Sequence, residues 1–325
     1  MIEPPRPTIS AEPLLPGFQQ LVDAIADAEA KGAPAWSALS PQEVRTAAER
    51  LRKPASIPQD IVRRDLTLDG PDSALHARLY IPDGAQKIGP GLVYFHGGGF
   101  TIGSVEGHDA LVANLAAASG VKILSVDYRL APEHPFPAAH DDAVASVKWA
   151  FTNANVIGFD AERIGVGGDS AGANLAASAC LDLRSTSDVA IKFQLLFYPN
   201  TTIKDIPGTR QIYAHGHYLT LETAHYLFGH YVSPEQSISP RIDLLGRDDL
   251  SGLPPTLLTV GHCDILYDEC VLFAYQLQQA GVPIEFITYP GYLHSFYGFS
   301  ELVPDVMDAF QTAGAALALG LNGSA

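Results

Sequence analysis

The chain has 325 residues, 47% hydrophobic and 17% charged, enough for one large core or a core plus a smaller cap, and a poor match to disordered or fibrous proteins. Its formal net charge of −16 argues against nucleic-acid or anionic-membrane partners, which call for a basic footprint. Three cysteines, Cys180, Cys263 and Cys270, form neither a disulfide framework nor a thiolate zinc pattern.

The opening MIEPPRPTIS has no basic-then-apolar leader pattern, and no stretch reaches transmembrane length. A reducing, cytoplasmic setting without stable membrane insertion is expected. Residues 18–31 and 41–53 carry apolar positions at helical spacing, and neither segment forms a domain alone. Residues 61–66 and 75–81 read as two antiparallel strands around a Gly-Pro-Asp turn. From residue 91 strands and helices alternate: strand 92–95, helix 108–119, strand 121–128, helix 139–152, strand 163–168, helix 171–183 and strand 191–199. The rhythm resumes with strand 256–261, helix 268–280, strand 284–289 and helix 303–318. Several strands are nearly continuous apolar runs, as expected when helices cover both faces of a mostly parallel sheet. Residues 200–250 interrupt the alternation with a long insertion containing a helix at 220–232. The expected division is therefore 1–58 as N-terminal cap helices, 59–199 and 251–325 as the two parts of a catalytic domain, and 200–250 as a cap insertion.

The chemistry-bearing residues lie where strands end. Gly168-Asp169-Ser170-Ala171-Gly172 joins a strand to a helix, the sequence form of a nucleophile elbow. G-x-S-x-G is a weak signal in a chain with 29 glycines, so the strand–turn–helix context carries the assignment. The run His96-Gly97-Gly98-Gly99 is rarer and follows a strand directly. Its glycines can turn amides inward, so Gly98, Gly99 and Ala171 are the expected oxyanion donors, with Gly97 in the same loop and His96 bracing it. Among eleven histidines, His294 follows a late strand and so shares the rim with Ser170. It is the expected general base. Asp264 follows strand 256–261 and is the expected acid, with Asp268 as its nearest rival. The order Ser, Asp, His is the α/β-hydrolase order. Adjacent His262 and Cys263 do not make a metal set, and neither a metal nor a cofactor is expected. Phe100, Tyr198, Tyr213 and Tyr218 are the aromatics expected to line an acyl or alcohol pocket.

These residues resemble the hormone-sensitive-lipase-like family of bacterial α/β-hydrolase esterases, through HGGGF at 96–100, YRLAPEHPFPAA at 128–139, GDSAG at 168–172, D-x-L-x-D-E at 264–269 and the setting of His294. The resemblance covers essentially the whole chain. It implies an α/β-hydrolase fold with an eight-stranded, mostly parallel sheet, flanking helices and a helical cap. It implies a Ser170–Asp264–His294 triad hydrolysing carboxylic esters of short or medium acyl chains, and it allows a homodimer through an edge strand. It also makes the YRLAPE segment structural, with Arg129 and Glu133 as a buried ion pair and Asp142 bracing loops, and gives Asp169 hydrogen bonds to nearby loop groups. Two positions depart from the family pattern: Ala173, where many relatives have glycine, and Ile265, where proline often follows the acid. Amide or lactone hydrolysis and acyl transfer remain alternatives, since the same triad serves all of them. A non-catalytic binder of small ligands would be favoured by a missing triad member or a blocked oxyanion loop, and neither is seen.

Overall fold

The apolar runs become the inner strands of one eight-stranded sheet. The computed structural model describes residues 10–51 and 56–323. The elements are α1 (Pro16–Ala30), α2 (Pro41–Leu51), β1 (Ile61–Asp69), β2 (Ala74–Pro82), β3 (Gly89–Phe95), α3 (Asp109–Ser119), β4 (Lys122–Val126), α4 (Ala138–Thr152), α5 (Ala154–Ile157), β5 (Phe159–Asp169) and α6 (Ala171–Leu183). They continue with β6 (Gln194–Phe197), α7 (Thr209–Ile212), α8 (Leu221–Tyr231), β7 (Thr256–Cys263), α9 (Tyr267–Gln279), β8 (Ile284–Leu293) and α10 (Val306–Asn322). The end of the expected 41–53 helix and most of the opening MIEPPRPTIS lie outside the described residues.

The strand order is β1-β2-β4-β3-β5-β6-β7-β8. β1 pairs antiparallel with β2, and β2 with β4, while all later pairs are parallel. Every residue of β4 and β6 is buried, which fits their mostly apolar sequences, KILSV and QLLF. The parallel strands share one carboxyl rim, and Ser170, Asp264 and His294 follow β5, β7 and β8 on that rim.

β8 is longer than the sequence suggests. Gly261 faces Tyr289 and Cys263 faces Leu293, with a register shift between them. Pro290, Gly291 and Tyr292 therefore form a bulge inside the strand instead of a loop after it. Proline, which lacks a donor, is tolerated at such an irregularity. The bulge also receives the N-terminal segment, because Leu15 N–H donates to the Gly291 carbonyl at 2.9 Å.

The N-terminal helices and the 200–250 insertion meet above the rim. Val44 and Ala48 of α2 pack with Leu227 of α8 and with Ile102, flanked by Trp36, Leu39 and Tyr226. The Tyr226 hydroxyl donates to the Leu39 carbonyl at 2.5 Å. α1 instead inserts Phe18 against Tyr292 and Phe299, with ring centroids 5.4 and 6.5 Å away.

The insertion is tied to the sheet domain beneath it. Asp268 accepts from Thr209 N–H at 2.9 Å, and the next residue, Glu269, pairs with Arg210. Both Arg210 and Glu269 are fully buried, with Nη2 to Oε2 at 2.5 Å. The other Glu269 oxygen accepts from Thr201 N–H at 2.8 Å. Removing one member of such a pair strands a charge away from water. Arg210→Met is expected to destabilise the protein by about 3–5 kcal/mol, and adding Glu269→Leu to recover most of the loss. Urea unfolding of the single and double variants checks this; a single variant as stable as wild type contradicts it.

Candidate active site

Ser170 occupies a sharp bend between β5 and α6, with φ 54° and ψ −117°. That conformation is unfavourable for a residue with a β-carbon, so its surroundings must hold it. Ser170 N–H donates to the Phe197 carbonyl at 2.9 Å, and the Ser170 carbonyl accepts from Ala173 and Asn174, both at 3.1 Å. The flanking glycines allow the close approach. A β-carbon on Gly172 would stand 2.0 Å from the Phe95 carbonyl oxygen, and one on Gly168 would stand 2.5 Å from the same atom.

The Ser170 hydroxyl lies 3.0 Å from His294 Nε2, and His294 Nδ1 lies 2.6 Å from Asp264 Oδ2. A carboxylate beside Nδ1 places the proton there and leaves Nε2 free to accept from the serine. Asp264 is buried, and its other oxygen accepts from Leu266 N–H at 2.8 Å. The Tyr198 ring meets the His294 ring edge-on at 4.9 Å and limits its tilt. Asp268, the rival acid, turns instead to Thr209. Ile265 is buried next to Asp264, and its carbonyl accepts from the Thr209 hydroxyl at 3.2 Å. Ala173 is buried inside α6, where it suits a helix better than glycine does.

The glycine loop faces the same point. Gly98 and Gly99 have φ 128° and 58°, and both line a cleft with Ser170 and His294. Among the described residues, neither the Gly98 nor the Gly99 amide donates to a backbone carbonyl. Ala171 opens α6, whose first amides lack intrahelical acceptors and whose dipole favours negative charge there. Gly97 N–H donates to Asp169 Oδ1 at 2.9 Å, and the Tyr94 hydroxyl donates to the same oxygen at 2.9 Å. His96 points away from the serine. Its Nδ1 lies 2.9 Å from the Gly97 carbonyl, and its ring stacks on Tyr128 at 4.3 Å.

Three of the expected wall aromatics do not line the cleft. Phe100, Tyr198 and Tyr213 are fully buried. Phe100 stacks on Tyr231 at 4.4 Å, and the Tyr213 hydroxyl accepts from Glu12 N–H at 2.9 Å. Large aromatics fill the core more readily than they line a cleft. Tyr218 does line the cleft, with Trp36, Ile102, Leu219, Leu227 and Phe228. On α8, Ala224, Leu227, Phe228 and Tyr231 recur at helical spacing, a signal present in the sequence but not assigned to the site. Trp36, alone on its segment, carried no such signal.

The Arg129–Glu133 pair does not form. Arg129 donates to Asp142 through its backbone N–H at 2.9 Å and through Nη2 at 2.8 Å, and also bonds Asp72. Glu133 is more than half exposed and binds Arg45 of α2 through both oxygens, at 2.9 and 2.6 Å. The Arg45 bonds draw its carboxyl down to about 2. The buried carboxylate Asp142 takes the nearer guanidinium, and Glu133, turned outward, is left to the cap. His262 bonds Glu12 at 2.9 Å and Thr288 at 3.0 Å.

A buried histidine that sequence reasoning passed over links the cap to the elbow helix. His140 Nε2 faces two acceptors, Asn174 Oδ1 at 3.0 Å and the Arg241 carbonyl at 3.1 Å, so it carries the proton. Nδ1 accepts from the Tyr231 hydroxyl at 2.8 Å.

The chain resembles proteins that cleave esters. The profile of the α/β-hydrolase fold family matches residues 92–298. An ethyl acetate hydrolase of Pseudomonas putida is 35% identical over 246 residues, covering 74% of this chain and 77% of that protein. Carboxylesterase NlhH of Mycobacterium tuberculosis is 34% identical over 290 residues, covering 86% and 90%. Among solved structures, an ester hydrolase from the Lake Arreo metagenome, complexed with a bipyridine phosphonate derivative, aligns with TM-score 0.91 and 33% identity over 95% of this chain and 100% of its own. The esterase of Pyrobaculum calidifontis aligns with TM-score 0.88 and 34% identity over 94% and 98%.

Burial pushes His140 from 6.5 down to about 4, despite its hydrogen bond to Asn174. Between those values the unfolded chain binds the proton and the folded protein does not. Stability therefore falls as pH drops from about 6.5 to about 4, by on the order of 3 kcal/mol from this residue. His140→Gln, which cannot titrate, is expected to flatten that slope in urea unfolding across the window; an unchanged slope contradicts the assignment.

Proposed function

Because the chain belongs to the α/β-hydrolase family and is a serine carboxylesterase, we propose that Ser170 is its nucleophile, His294 its general base and Asp264 the acid that holds the imidazole. The observation that carries this reading is the continuous Ser170–His294–Asp264 contact chain, at 3.0 and 2.6 Å, beside a glycine loop on the same cleft.

The mechanism follows from the proton positions. His294 Nε2 accepts the Ser170 proton as the serine oxygen attacks the ester carbonyl carbon. Negative charge moves to the carbonyl oxygen, where the Gly98, Gly99 and Ala171 amides receive it. Asp264 stabilises the imidazolium without taking its proton. The tetrahedral species collapses, the acyl–oxygen bond to the alcohol breaks, and His294 returns its proton to the leaving oxygen. Water then attacks the acyl-serine with His294 again as base, releasing the acid and restoring the hydroxyl. His96, Gly97 and Asp169 hold the glycine loop. Asp142 steadies the segment behind it through Arg129, and Glu133 does so through Arg45.

The substrates best suited to the cleft are esters of short to medium acyl chains. The floor is confined by Trp36, Ile102, Leu227 and Phe228, and a neighbouring groove of about 420 Å³ opens past Trp36 and Tyr218. Within the family, the HGGGF and YRLAPE segments and the two-part helical cap support a place among the hormone-sensitive-lipase-like esterases. Residues 10–51 and 200–250 serve as the cap. Among the described residues no helix is long and apolar enough to cross a membrane. The three cysteines are buried free thiols, which suits a reducing cytoplasm. Strand β8 ends the sheet and supplies an edge through which two copies could pair as a homodimer. The charge of −16 disfavours nucleic acid.

Ser170→Ala is expected to lower turnover of p-nitrophenyl butyrate by at least about 10³-fold and to abolish fluorophosphonate labelling, with the fold intact by circular dichroism. Asp264→Asn is expected to cost on the order of 10³–10⁴ in kcat, through loss of the productive tautomer. Wild-type rates in the serine variant would remove Ser170 from the reaction.

A further inference from the structure

Three consecutive residues of the glycine loop, Gly98, Gly99 and Phe100, have positive φ: 128°, 58° and 62°. The bend closes on one atom. The Gly98 carbonyl accepts from Thr101 N–H at 3.1 Å and from Ile102 N–H at 2.9 Å. In a trans peptide the carbonyl and the following N–H point in opposite directions. Fixing the Gly98 carbonyl on Thr101 and Ile102 therefore turns the Gly99 N–H the other way. Where Thr101 is held decides where that amide points.

Thr101 is fully buried, does not line the cleft, and is held by both parts of the cap. Its carbonyl accepts from Arg45 Nε of α2 at 2.9 Å. Its hydroxyl donates to the Leu227 carbonyl of α8 at 2.9 Å. The same guanidinium donates to the Ala131 carbonyl at 2.7 Å and to both Glu133 oxygens. Ala131 N–H in turn donates to the Phe100 carbonyl at 2.9 Å. Leu227 also presses on the loop directly, because a β-carbon on Gly99 would come within 2.7 Å of its own β-carbon. Two cap segments far apart in sequence thus converge on one loop residue. The planar guanidinium reaches two carbonyls and both oxygens of a carboxylate through four bonds, one more than the three donors of a lysine ammonium supply.

We propose that Thr101 is a positioning residue through which Arg45 and Leu227 make the direction of the oxyanion-binding amides depend on both cap segments being docked; this rests on the reading that the Gly98 and Gly99 amides receive the oxyanion. The cap then does more than shape the substrate groove. It completes the charge-stabilising half of the site, so a displaced cap leaves the Ser170–His294–Asp264 chain intact and the oxyanion poorly held.

The test pairs kinetics with two ligands. A short alkyl trifluoromethyl ketone adds to the serine as an oxyanionic hemiketal, whereas the matching methyl ketone adds far less readily. Wild type is expected to prefer the fluorinated compound by at least about 100-fold. Thr101→Val removes the hydroxyl bond at nearly constant volume, and Arg45→Lys removes the fork. Each is expected to lower kcat for p-nitrophenyl butyrate about tenfold and to weaken the trifluoromethyl ketone by a similar factor, with KM and methyl-ketone affinity within about twofold of wild type. Thr101→Ser, which keeps the hydroxyl, is expected to retain kcat within about threefold. Near-ultraviolet circular dichroism verifies folding, and Thr101→Val decides the matter if the Arg45 variant does not fold. Folded variants with wild-type kcat and ketone preference overturn the proposal. So do variants in which only KM and methyl-ketone affinity change, since the contacts then serve substrate binding alone. A wild type with no preference between the ketones overturns the oxyanion assignment instead, a separate failure.

Discussion

A β-carbon at Gly172 would lie 2.0 Å from the Phe95 carbonyl oxygen and 2.5 Å from that of His96. The elbow helix and the end of β3 are therefore in direct backbone contact, and the glycine loop leaves β3 at that point. One close approach fixes the distance between the serine and the loop amides. It is reinforced in the other direction, because Asp169, immediately before the serine, accepts from Gly97 N–H. A β-carbon on Gly97 would come 2.3 Å from the other oxygen of that carboxylate. Glycine on each side of the contact lets the two halves of the site interlock through backbone and the Asp169 carboxylate. Such an arrangement is preorganised, since few rotamers must be frozen when charge develops on the substrate.

Burial separates the histidines around this contact by role. His96 and His140 are both pushed down to about 4 by burial, so each is held as a neutral hydrogen-bonding ring at neutral pH. His294 alone among the three has a carboxylate on Nδ1 and a hydroxyl on Nε2. His96 Nδ1 instead lies 2.9 Å from the Gly97 carbonyl, and His140 is held between Tyr231, Asn174 and the Arg241 carbonyl. The paired environment, beyond the identity of the residue, makes one imidazole suited to proton transfer and two suited to bracing.

The parts legible in the sequence are those fixed by local geometry. Apolar runs located most of the inner strands, and the Gly-Pro-Asp turn marked the outer pair β1 and β2. The glycines around Ser170 and after Phe95 signalled tight backbone, and position at strand ends singled out His294 from ten other histidines. What stayed hidden depends on pairings between distant segments. Nothing in the YRLAPE segment says that Arg129 turns to Asp142 while Glu133 waits for Arg45, because α2 arrives from 88 residues earlier in the chain. Three of the four wall aromatics, all but Tyr218, were misplaced for a related reason. Tyrosine and phenylalanine suit a core as well as a cleft, and Phe100 finds a partner in Tyr231 that only the folded cap supplies. The bulge in β8 was missed because Pro290 and Gly291 together spell a turn, whereas the register shift opposite Gly261 and Cys263 absorbs them into the strand.

The insertion is attached in two places with different consequences. Below, Thr209 and Arg210 lock onto Asp268 and Glu269, four and five residues after Asp264. Fully buried charges there make separation costly, so this end is fixed. Above, α8 meets the glycine loop through Thr101 and Gly99 and meets α2 through a small apolar cluster of Val44, Ala48, Ile102 and Leu227. The cavity of about 420 Å³ between α1 and the insertion belongs to this upper end, lined by Val22, Ile25 and Trp36 on one side and His217 and Tyr218 on the other. Substitutions there alter the space offered to a substrate while leaving the lower anchor and the elbow contact untouched. On the proposed reading, the upper contacts of the insertion set substrate range, and Thr101 and Gly99 connect them to the glycine loop.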